Sequence, residues 1–178
     1  MLYGIARTGA AQDAGDPVRR AEQSKTPAQG TSGHEIGHQW WGSAIVNKNF
    51  GNYWFVESLA EYSSALCLEA VRSENGAAPD KGYAAYLDHV DGWRRTILDT
   101  PMVSSVQDAS YLWSNGGYQA AVYNKGPYAM HILRMTFGYD KTVEFLRTLA
   151  QDLGNQEIVT TDIQRIAERM DGEVLGPS

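Results

Sequence analysis

The stretch His34-Glu35-Ile36-Gly37-His38-Gln39-Trp40-Trp41-Gly42 decides how the chain reads. It contains the pattern HExxH. On an α-helix, side chains four residues apart lie one above the other, so the imidazoles of His34 and His38 can converge on one divalent ion. Glu35 lies about 100° further round the helix, placed to hydrogen-bond a water at such an ion without binding the ion itself. Neighbouring residues thus take different tasks: two hold a metal and one moves a proton. The pattern predicts a helix from His34 to about Ile45.

Two imidazoles leave the ligand set short, because catalytic zinc sites use three protein ligands and keep a further position for water. The chain has four histidines, and no other lies close to these two. Glu57, within Trp54-Phe55-Val56-Glu57-Ser58-Leu59-Ala60-Glu61-Tyr62, stands on the next predicted helix, after an Asn- and Gly-containing turn that can reverse the chain. A carboxylate there completes a His₂Glu set for one zinc ion per chain. Zinc so held draws the pKa of its water toward about 7, with Glu35 as the general base in hydrolysis of an amide. Glu61, one turn beyond Glu57, is placed to steady His34 or His38 through the other ring nitrogen. Cobalt or manganese would also suit such a set. A purely local reading competes: Ser32 and Glu35 fit a Ser-x-x-Glu capping box, which would fold Glu35 back on the helix start and make it a poor base.

These residues resemble the M1 family of zinc metallopeptidases, the gluzincin group of aminopeptidase N and leukotriene A4 hydrolase. That family's signature is HExxH, eighteen residues, then Glu; here residues 39 to 56 are the eighteen, and Glu57 follows. Gln39-Trp40-Trp41-Gly42 is similar to the usual extension of the motif. Glu57-Ser58-Leu59-Ala60-Glu61-Tyr62 is similar to the family's EGFAxY segment, with Ser58 in place of the usual Gly. Tyr123-Asn124-Lys125-Gly126 is similar to its YEKG block, with Asn124 in place of the acid. The resemblance implies that Tyr123 donates a hydrogen bond to the oxyanion of the tetrahedral intermediate, a role a phenol can fill at developing negative charge.

The likeness runs from about residue 33 to residue 175 and implies a mainly α fold: the helical catalytic lobe of a thermolysin-like gluzincin zinc peptidase, with little or no N-terminal sheet. It implies a peptide or protein substrate and a cleft between the motif helix and the Glu57 helix. Residues 1 to 33 contain no GxMEN segment, with which the family's aminopeptidases hold a substrate's α-amine. Aminopeptidase activity follows from the family, and endopeptidase activity from the missing segment. The alternative from another class is a zinc-binding inactive fragment that serves as a structural or interaction module.

The remaining sequence reads as one domain over 1–178, truncated relative to that family, with 1–32 largely loop apart from a short helix after Pro17. Its 178 residues are 43% hydrophobic and 20% charged, with a net charge of −6. The acidic balance, with Arg19-Arg20 and Arg94-Arg95 as the adjacent basic pairs, argues against a nucleic-acid partner. No run approaches the ~18 apolar residues of a membrane span, so no membrane insertion is expected. Met1 to Ala10 lack the features of an export leader, which makes the cytoplasm the default; a secreted or periplasmic chain stripped of its leader would read the same.

Turn-forming clusters divide further helices at about Tyr53–Ser73, Gly82–Asp99, Pro127–Phe137, Asp140–Gln151 and Thr161–Met170, the last opened by a Thr161/Gln164 capping box. His89 and His131 are expected away from the motif, Trp40 and Trp41 as core and wall, and Cys67 as a buried apolar residue. A helical lobe without its sheet would expose an apolar face, and a homo-oligomer would cover it.

Overall fold

One helix, α2 (Trp54–Arg72), is buried on nearly every side: Phe55, Val56, Leu59, Ala60, Tyr62 and Ala65 all lie in the core, with Ser58 and Ser64 beside them. A helix this apolar round its circumference has to run through the middle of its domain. The others pack on it in the computed structural model, which describes residues 32–74, 76–100, 105–106 and 117–174. The expected loop and short helix of residues 1–31 lie outside these.

The chain enters through a short helix, α1 (residues 32–37), then β1 (Ile45–Asn47) and a 3₁₀ turn at Phe50–Asn52 before α2. α3 (Pro79–Asp99) opens with proline at its first position, where the missing N–H costs nothing. It buries Gly82, Tyr86, Val90 and Trp93 along one stripe against α2. A six-residue π-helical segment, Ala120–Lys125, leads directly into α4 (Gly126–Phe137). Gly138, at φ 88°, turns the chain into α5 (Tyr139–Asp152), followed by β2 (Gln156–Ile158) and α6 (Thr160–Val174). The fold is mainly α. Among the described residues the sheet is a single parallel pair of three-residue strands, Ile45 opposite Gln156 and Asn47 opposite Ile158. No helix among the described residues is long and apolar enough to cross a membrane.

Three expectations are corrected. The motif helix does not reach Ile45. After Gly37 the bonds tighten to Gln39 N–H to Ile36 O and Trp40 N–H to Gly37 O, which ends the helix, and Gly42, at φ 106°, turns the chain toward β1. The start of α6 is not a Thr161/Gln164 box: Asp162 Oδ2 accepts the Val159 N–H at 2.9 Å, and the Thr160 N–H and hydroxyl both donate to Asn52 Oδ1 at 2.8 Å. Cys67 is exposed, because it falls on the side of α2 away from the core.

Candidate metal centre

α1 lies hard against α2. A Cβ added at Gly37 would stand 3.0 Å from Ala60 Cα, so no side chain can separate the two helices at that point. His34 and His38 project from the edge of this contact toward Glu57, in the first turn of α2. Three donor atoms meet: His34 Nε2 and Glu57 Oε2 are 3.2 Å apart, the two Nε2 atoms 3.1 Å, and His38 Nε2 and Glu57 Oε2 3.5 Å. Ligands about 2.0–2.1 Å from a tetrahedral zinc lie roughly 3.3 Å from one another. The donor triangle has that size.

The protons on the far sides of the rings decide what the triangle can bind. His38 Nδ1 is 2.9 Å from the Trp41 carbonyl oxygen, and His34 Nδ1 is 3.1 Å from Glu61 Oε2. A carbonyl and an ionised carboxylate only accept, so each Nδ1 must carry the N–H. Both Nε2 atoms of the neutral rings then present lone pairs to one another and to a carboxylate oxygen. A cation at their common point satisfies all three. Without an ion a proton takes that place: hydrogen bonding to Glu57 and Glu61, opposed by burial, lifts His34 to about 9.

The surrounding chain supports these roles. Because the helix has ended before Trp41, the Trp41 carbonyl is left for His38, while the Trp41 indole N–H is anchored on Ser63 Oγ at 2.9 Å. Glu57 is held at both oxygens, since the Tyr53 hydroxyl donates to Oε1 at 2.7 Å. Burial pushes the Glu57 carboxyl up, but hydrogen bonds from His34 and Tyr53 outweigh it and keep it ionised, at about 2. For Glu61 the same contest, with His34 and His89 as the opposing donors, also ends at about 2.

Tyr123 sits in the π segment with its ring stacked on His34, centroids 6.0 Å apart. Burial first, then the Glu57 charge, pushes its phenol well above the ordinary tyrosine range, so it remains a proton donor at neutral pH. Glu35 is exposed and makes no hydrogen bond to a described residue, so it is not folded back as a cap. The expected residues are thus together: His34, His38 and Glu57 as the donor triangle, Glu61 behind His34, Tyr123 against the ring.

Two contributors were not read from the sequence. Tyr53 carried a signal, its spacing of four residues before Glu57. His89 was expected away from the motif, yet its Nε2 lies 2.9 Å from Glu61 Oε1, with the Trp93 indole N–H 3.4 Å from the same oxygen; this placement depends on how α3 crosses α2. Trp41 is core, whereas Trp40 is 48% exposed.

A helical domain in which a helix end and the first turn of a second helix share a His₂Glu donor set defines a class of metal centre. The chain belongs to peptidase family M1, whose domain matches residues 10–175, starting earlier than the motifs alone indicated. It is 22% identical to Aminopeptidase M1-B of Oryza sativa subsp. japonica over 161 residues, which cover 89% of this chain and 18% of that protein. It is 28% identical to Aminopeptidase N of Lactococcus lactis subsp. lactis over 138 residues, 68% of this chain and 15% of that protein. The chain therefore spans less than a fifth of the length of these relatives. No solved structure gives a significant match.

Proposed function

We propose that this domain hydrolyses peptide bonds with one zinc ion held by His34, His38 and Glu57. The observation that carries the reading is the convergence of two imidazole lone pairs and a carboxylate oxygen, with each ring's other nitrogen already donating to a fixed acceptor. Bound zinc supplies Lewis acidity, which brings the pKa of water toward about 7 and polarises a carbonyl. Glu35, next to a ligand and free of any cap, accepts the proton of the attacking water and returns it to the leaving amine. Tyr123, kept protonated by burial and by Glu57, donates to the oxyanion that forms at the attacked carbonyl. Glu61 holds the proton on His34 Nδ1 and so directs Nε2 toward the ion.

The names of the two relatives favour removal of N-terminal residues, and cuts within a chain are the alternative. Casein and an aminoacyl anilide, tested side by side on the zinc-loaded protein, separate the two. Glu35→Gln should keep its zinc while losing about 10²–10⁴-fold in turnover. Zinc retained with no turnover of either substrate by the wild type would overturn the reading. It would favour a zinc-braced interaction module, for which the observation is the exposed pair Ile36 (57%) and Trp40 (48%) beside the motif.

A further inference from the structure

We propose that Ser58 is a positioning residue for Tyr123, acting through the backbone of the π segment; this rests on the hydrolytic reading above. Ser58 is fully buried on α2 and follows Glu57 directly. Its hydroxyl donates to the Val122 carbonyl oxygen at 2.6 Å, and Tyr123 follows Val122 directly.

That carbonyl depends on Ser58 for a partner. In the π segment the Gly126 N–H bonds back five residues to the Ala121 carbonyl. The next residue, Pro127, has no N–H. The backbone therefore brings no donor to Val122 O, and a buried carbonyl without one is strongly disfavoured. The Ser58 hydroxyl fills the gap, and the space for it exists because residue 126 is glycine: a Cβ there would stand 1.9 Å from Ser58 Oγ. One hydrogen bond thus clamps the backbone beside the phenol to the backbone beside the carboxylate of the donor triangle. It fixes how far the Tyr123 ring stands from His34, a distance that neither the π turn nor α2 sets alone. π turns inside helices recur at functional sites, where the extra residue re-aims a side chain.

The test compares wild type, Ser58→Ala, Tyr123→Phe and the double variant by zinc content, kcat and KM. It also follows the ring ¹³C signal of Tyr123, assigned by its disappearance in Tyr123→Phe. Ser58→Ala should bind one zinc as the wild type does, lose about ten- to a hundredfold in kcat with KM unchanged, and shift the Tyr123 signal. In the Tyr123→Phe background it should cause no further loss. Ser58→Gly removes the same hydroxyl with less crowding against Gly126 and serves if Ser58→Ala does not fold. An equal kcat loss in the Tyr123→Phe background, or an unmoved Tyr123 signal, overturns the proposal. If the wild type is as inactive as Glu35→Gln, the hydrolytic reading fails, while the Tyr123 signal still decides whether Ser58 sets its position.

Discussion

His34 and His38 become a donor pair through the atoms behind them. The Trp41 carbonyl and the Glu61 carboxylate each accept a hydrogen bond from an Nδ1–H, and this leaves both Nε2 lone pairs facing Glu57. Removing these supports should therefore weaken metal binding without removing a ligand. Glu61→Gln and Tyr53→Phe should each lower zinc affinity about 10–100-fold in a chelator competition. Unchanged affinity in both would mean that the hydrogen bonds behind the ligands are idle. Proton competition gives a second expectation. His34 titrates at about 9 in the metal-free protein, lifted chiefly by its hydrogen bond to Glu57, so at pH 7 it is protonated and zinc has to displace that proton. Zinc affinity should rise roughly tenfold per pH unit from neutrality toward pH 9 and flatten above it, with about one proton released per ion near pH 7. Calorimetry in buffers of different protonation enthalpy measures the release, and a value near zero would contradict the assignment. The ligands were legible because four-residue spacing on a helix dictates which side chains share a face. Tyr53, four residues before Glu57, obeys the same rule, but a tyrosine carries no zinc-ligand signal of its own.

Among the elements, α2, α3 and α4 are joined by one buried ion pair. Arg134 on α4 makes a two-pronged contact with Glu69 on α2, at 2.6 and 2.8 Å, and its guanidinium lies 4.1 Å from the centre of the Tyr86 ring on α3. Arg134→Ala would strand the Glu69 carboxylate in a half-buried, apolar setting and should cost about 3–5 kcal/mol in urea unfolding. Glu69→Leu with Arg134→Met, which removes both charges and keeps the volume, should recover most of that loss. The cores of the helices were legible from turn-forming clusters and apolar spacing; the pair was not, because a sequence pattern counts Arg134 as surface. The helix ends were the weak part. α1 stops at Gly37, short of Ile45, because Ile45–Asn47 pair with Gln156–Ile158, more than a hundred positions away, and strands of three residues leave no alternation to detect.

At the scale of the whole molecule, a helical lobe built round α2 contains every residue proposed to touch the metal, in less than a fifth of the length of its relatives. That content was visible from the spacing of HExxH to Glu57, whereas the setting of Tyr123 was not. It depends on a π turn and on the hydroxyl of Ser58, neither of which leaves a periodic trace. The convergence of His34, His38 and Glu57 on one ion is tested most directly by X-ray absorption at the zinc edge on protein titrated with zinc to saturation. The expected result is one ion per chain, with two imidazole nitrogens and a carboxylate oxygen at about 2.0–2.1 Å, and loss of that signal in His38→Ala. Saturation without imidazole scattering, or an unchanged spectrum in His38→Ala, would contradict it.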